Sequence, residues 1–167
     1  MHKRVFILGT LFGGALGVGL DQQPTSEYRD AQYGFKISPP AFPVEVAPKN
    51  RLVARFFALP ENQFSANMNV NVQTPGMSLD DFVSVSRVQF QTAGFEILGD
   101  RRFTIGDHGA VEWSYAGKIQ DLELKFLARA VERGDQIFLI TCTGLKDSFD
   151  KYEEQFRASL ESFAFTN

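Results

Sequence analysis

Leu122-Glu123-Leu124-Lys125-Phe126-Leu127-Ala128-Arg129-Ala130-Val131 is the stretch that decides the fold. Leu122, Leu124, Phe126, Ala128 and Ala130 alternate with Glu123, Lys125 and Arg129. That is the period of two of a strand with one face buried more deeply than the other. Glu132-Arg133-Gly134-Asp135 turns the chain, and Gln136–Thr143 returns as a second strand. Phe149, Tyr152, Phe156, Leu160 and Phe163 then recur at helical spacing and form one apolar stripe. A hairpin with a covering helix is a core rather than an active site.

Towards the N-terminus, Ala110–Ala116 reads as a strand with Val111, Trp113 and Tyr115 on one face. Trp113 is expected in the core, with its N–H satisfied. Phe95–Ile105 is a further strand, bent near Gly99, and Gly106-Asp107-His108-Gly109 is the turn between the two. Gly117–Asp121 connects to the hairpin. Four strands joined by such short turns pair as an antiparallel meander.

Before them, Ser78-Leu79-Asp80-Asp81 is a helix start, with a capping serine and two acids in the positive first turn. Leu79, Phe82, Val83 and Phe90 share one side, Val85 and Val88 widen it, and the helix ends before Gly94. Ala66–Thr74 is a strand with Asn67, Asn69, Asn71 and Gln73 on one face and Met68, Val70 and Val72 on the other. Asn is a poor strand former, so three in a row need a reason. One reason is a ladder of amides offered to a polar ligand or partner. The other is a solvated outer face, or amides bonded to a neighbouring loop. Leu52–Leu59 and Tyr33–Ile37 complete the set, the latter stopped by Pro39-Pro40. The expected fold is α+β: a single seven-stranded, mostly antiparallel sheet with two main helices. Bulky residues on both strand faces, such as Phe56 and Phe57, call for cover on both sides of the sheet.

The chain has 167 residues, enough for one domain with a sizeable core. Phe is used 17 times against one Trp and four Tyr, a core-filling preference because Phe has no polar handle. His2-Lys3-Arg4 precede the uncharged run Val5–Leu20, the pattern of a cleavable export signal over residues 1–20, or of an N-terminal anchor if uncut. Residues 21–27 read as a polar tether and 28–167 as the domain. Lys3 and Arg4 are the only charges in the signal, so without it the formal charge moves from −3 to −5. That acidity argues against nucleic acid as a partner. Membrane contact is expected only if the N-terminal segment stays uncleaved.

The one cysteine, Cys142, lies mid-strand and reads as a buried small hydrophobe. After the signal the only histidine is His108, so any catalytic triad must run through it. A metal site would need His108, Asp107, Glu112 and Asp100 to converge, and their spacing is not diagnostic. Asp80-Asp81 and Glu153-Glu154 have explanations as helix-start and solvent-face charges. No phosphate-loop pattern is present. No catalytic residue, metal ligand or cofactor is assigned.

Tyr33-Gly34-Phe35-Lys36-Ile37-Ser38-Pro39-Pro40, the Asn69-Val70-Asn71-Val72 strand, the Ser78-Leu79-Asp80-Asp81-Phe82 helix start and the ending Phe149…Tyr152…Phe156…Ser162-Phe163 resemble the PsbP-like family. The likeness covers about Tyr28 to Phe165. The chain also resembles DcrB-like bacterial envelope proteins and, more distantly, the Ran-binding import factor with the same sandwich. The resemblance implies an α/β/α sandwich, no catalytic motif, and a docking or assembly role. The lipid-bearing cysteine of DcrB-like proteins is absent, as is a basic extension for photosystem docking. The function expected is therefore an exported, non-catalytic binding or assembly module with a protein partner in the cell envelope. Asn67, Asn69, Asn71 and the Asp107-His108 turn are its candidate contact residues. The alternatives are a secreted hydrolase or small-ligand enzyme using His108 or an acid pair, and a carrier with a Phe-lined cavity for a small apolar ligand.

Overall fold

The computed structural model describes residues 27–45 and 52–166. The elements in chain order are β1 (Tyr28–Asp30), β2 (Phe35–Ile37), β3 (Val44–Glu45), β4 (Leu52–Phe57), β5 (Asn67–Gln73), α1 (Leu79–Thr92), β6 (Glu96–Ile105), β7 (His108–Ile119), β8 (Leu122–Arg133), β9 (Gln136–Leu145), α2 (Asp150–Ser162) and β10 (Ala164–Phe165). Every strand pair is antiparallel. The expected signal, residues 1–20, and all of the tether except Glu27 lie outside the described residues.

The α+β class and the two helices are as expected; the single sheet is not. The large sheet runs β3-β4-β5-β9-β8-β7-β6, six long strands plus the two-residue β3, and a separate small sheet runs β1-β2-β10. The segment Tyr33–Ile37 does contain a strand, but β2 pairs with β1 and β10 rather than joining the meander. Strands of two or three residues carry no readable alternation, which is why β1, β3 and β10 escape a sequence reading.

The large sheet is covered on both faces. On one, Leu79, Phe82, Val83 and Phe90 of α1 pack with Val111, Trp113, Tyr115, Phe126 and Leu139. On the other, Phe149, Phe156 and Leu160 around α2, with Phe35 and Ile37 of the small sheet, pack with Met68, Val70, Leu127, Phe138 and Ile140. Of the two valines expected to widen the α1 stripe, Val85 packs on the core while Val88 is 61% exposed. Ser86 takes the inward position instead, its hydroxyl donating to the Phe82 carbonyl at 2.6 Å. That bond satisfies the polar group within its own helix.

β8 holds the layers together through its polar side chains. Glu132 accepts a hydrogen bond from the Leu79 backbone N–H at 3.0 Å, so the sheet caps α1 alongside Ser78, whose hydroxyl accepts from the Asp81 N–H at 3.2 Å. Arg133 donates to the carbonyls of Tyr33 and Gly34 and lies over the rings of Phe138 and Phe165, clasping the small sheet. Arg129 donates to the Leu160 carbonyl near the end of α2. Carbonyls at a helix C-terminus lack intrahelical donors, and a cation there also suits the helix dipole.

Candidate functional site

The register places a polar floor on the α1 face, beside the aromatic cluster. Opposed residues in antiparallel strands share a face. Three strands therefore contribute rows: Phe57–Asn67–Thr143, Arg55–Asn69–Thr141 and, one step further, Asn71–Leu139. The α1 helix makes its close approaches to β6 and β7, at the other side of this face.

The expected Asn row exists, but it is not a solvated outer face. Asn67 and Asn69 are half-buried, whereas Asn71 is 8% and Gln73 5% exposed. Thr141 and Thr143 are buried beside them. The Asn67 amide donates to the Ser65 carbonyl at 3.1 Å. The Asn71 Oδ1 acceptor is buried with no hydrogen-bond partner among the described residues. Burying an unsatisfied acceptor costs on the order of 1–3 kcal/mol, so one that persists calls for an explanation. Arg55 stacks over Phe57 at 5.3 Å and has no carboxylate partner among the described residues.

Trp113 is fully buried, as expected for core, packing edge-on to Phe90 at 6.1 Å. Its expected N–H partner is not found: Nε1 is unpaired among the described residues.

The Asp107-His108 pair sits elsewhere. The Gly106-Asp107 turn is tighter than the expected four residues, and His108 already belongs to β7. Its ring packs edge-on against Phe165, with centroids 4.6 Å apart, so it helps hold β10. Among the described residues no hydrogen bond or ion pair joins His108 to another side chain. The acids weighed with it do not converge. Asp100 opposes Trp113 on the α1 face and pairs with Arg87 at 2.8 Å, while Glu112 lies on the opposite face. Among the described residues no group of three or more His, Cys, Asp or Glu is placed to hold a metal.

Glu112 is instead the centre of a buried ionic cluster. Its carboxylate accepts from Arg129 at 2.6 and 3.1 Å and from Arg101 at 3.1 and 3.3 Å, and both arginines also reach Glu161. Arg129 is 2% exposed, and the two guanidiniums lie over Phe103 at 4.8 and 4.9 Å. Burial pushes the Glu112 carboxyl up, but the hydrogen bonds from Arg101 and Arg129 and their charges outweigh it and hold the group below its ordinary range. Every formal charge here is matched, so the cluster seats α2 on the sheet rather than presenting a reactive group. Cys142 is fully buried, and burial pushes its thiol up, away from the nucleophilic thiolate.

No family model matches this chain, and no curated protein matches it. Solved structures do. The solution structure of cyanobacterial PsbP from Synechocystis has a TM-score of 0.60 at 15% identity, covering 92% of this chain and 98% of that one. The fold is PsbP-like. Two further structures carry this PsbP-like sandwich. LpqN of Mycobacterium tuberculosis, involved in cell envelope biogenesis, has a TM-score of 0.62 at 12% identity, covering 87% of this chain and 91% of that one. PA94 of Pseudomonas aeruginosa, a protein of unknown function, has a TM-score of 0.62 at 15% identity, covering 82% of this chain and 94% of that one. At these identities the likeness is one of fold. Among the described residues no helix is long and apolar enough to cross a membrane.

The sequence reading missed Arg55, Thr141 and Thr143 as members of the floor. Thr141 and Thr143 alternate with Ile140 and Cys142 just as the asparagines alternate with Val70 and Val72. That repeated polar alternation was the available signal; only the register puts the two runs side by side.

Proposed function

We propose that this chain is an exported, non-catalytic binding module that acts through protein–protein contacts in the cell envelope, using the half-buried amide floor on the α1 face. The observation that carries the reading is the division of labour among polar side chains. The buried charges Glu112 and Arg129 are tied into a structural clasp, and so is Arg133, while Asn67 and Asn69 form a neutral, partly accessible row. Neutral amides carry both a donor and an acceptor, suit recognition, and have no acid–base or nucleophilic chemistry of their own. Export rests on the basic start and uncharged run of residues 1–20. The envelope setting is supported by the similarity in fold to LpqN, which is involved in cell envelope biogenesis.

The test is affinity capture of the tagged full-length chain from native membranes, in parallel with an Asn67→Ala/Asn69→Ala variant of matched stability. A stoichiometric partner retained by the natural chain and lost by the variant is expected. Equal capture by both chains, or no stable partner, overturns the reading.

A further inference from the structure

The amide row has a repeat that matches one particular kind of ligand. Side chains two apart on a strand are separated by about 7 Å, and the backbone amides facing one side of an extended peptide recur at that same spacing. Asn67, Asn69 and Asn71 therefore form a ruler in register with an extended chain. Each side-chain amide can give an N–H and take an N–H, which is what a backbone amide needs from a partner. We infer that the floor on the α1 face binds an extended peptide segment of its protein partner through that segment's backbone, with an acidic residue of the segment paired to Arg55.

The inference rests on the binding-module reading above and names what that module holds. Two further observations point to a ligand. The row closes along its length: Asn67 and Asn69 are half-buried, and Asn71 is 8% exposed with its Oδ1 lacking a donor. A backbone N–H would supply that donor once the closed end opens, because the Oδ1 is covered in the free chain. Arg55 opposes Asn69 on the same face and has no carboxylate among the described residues. Arg55 is stacked on Phe57, so its guanidinium is already ordered for a bidentate pair with a carboxylate. Backbone recognition of this sort gives affinity without a strict sequence, and the acid sets direction.

The probe is a phage-displayed library of random peptides selected on the tag-purified chain, followed by titration of synthetic winners. Winners are expected to share an acid at one fixed position. N-methylation of alternate backbone amides should weaken binding roughly tenfold or more, the loss of about one well-made hydrogen bond. Asn69→Ala and Arg55→Ala should each weaken it by a similar factor, and Arg55→Ala should abolish the acid preference. Val88→Ala, an exposed change on the outside of α1, should have no effect. Circular dichroism on each variant separates lost binding from lost folding. Winners indifferent to N-methylation, or indifferent to Asn69→Ala, overturn the inference. An empty library alongside Asn67-dependent capture of a partner from membranes also overturns it, while leaving the binding-module reading standing. Loss of both removes the two together.

Discussion

Replacing Glu112 with Gln should destabilise the fold severely although it deletes no contact by shape. Arg129 would keep its buried position, 2% exposed, and lose the carboxylate that meets it at 2.6 and 3.1 Å. The remaining carboxylate, Glu161, lies 3.2 Å away but is 66% exposed, so solvent screens it. Removing one partner of a buried pair costs about 3–5 kcal/mol, and the amide retains part of the hydrogen bonding, which sets the expected loss near 3 kcal/mol. At roughly 2–4 °C per kcal/mol for a chain of this size, Tm should fall by about 6–12 °C. Urea unfolding followed by Trp113 fluorescence reads the change, since this is the only tryptophan and it reports from the opposite face. A double variant with Arg129→Met should recover most of the loss, because it removes the buried charge that Glu112→Gln leaves without its carboxylate. The Glu112 carboxyl is held below its ordinary value, so its contribution is complete above the usual glutamate value of about 4.3 and vanishes as pH falls through the depressed folded value. The gap between natural chain and variant should therefore close in acid. A loss under about 1 kcal/mol at neutral pH, or a double variant whose losses simply add, refutes the clasp.

Three other outcomes follow from the packing. Gly117→Ala should destabilise by about 1–3 kcal/mol, because an added Cβ would lie 1.8 Å from the Phe95 ring; thermal unfolding measures it. Glu132→Ala should cost about 1 kcal/mol and speed amide exchange in the first turn of α1, since the Leu79 N–H loses its acceptor. Cys142 should resist thiol reagents in the native state and react on unfolding, which a timed labelling experiment with and without urea shows.

The layers of this PsbP-like fold were legible where periodicity runs long enough to read. The alternation in β8 and the helical stripe through Phe156 and Leu160 sufficed for the meander and its covering helix. The second sheet was not legible, because β2 pairs with Ala164–Phe165 from the far end of the chain and neither segment is long enough to carry a period. Gly117 misled for a different reason. It reads as a strand break, yet β7 continues to Ile119 and the turn is only Gln120-Asp121; the glycine is there because Phe95 occupies the space a side chain would need. Ending β7 early also hid the Glu112–Arg129 pair, which is a cross-strand neighbour pair once the register is known. The asparagine row was visible from spacing alone. Its partial burial, and the company of Arg55 and Thr141, depend on strands whose order in the sheet is not their order in the chain.

The decisive measurement is site-specific photo-crosslinking in living cells, with a photoreactive amino acid placed at Asn67 on the floor and, separately, at Val88 on the exposed side of α1. If the amide floor is the contact surface, the Asn67 position gives a discrete adduct with one envelope protein and the Val88 position does not. Adducts from Val88 alone, or none from Asn67 in a chain that is folded and exported, contradict it.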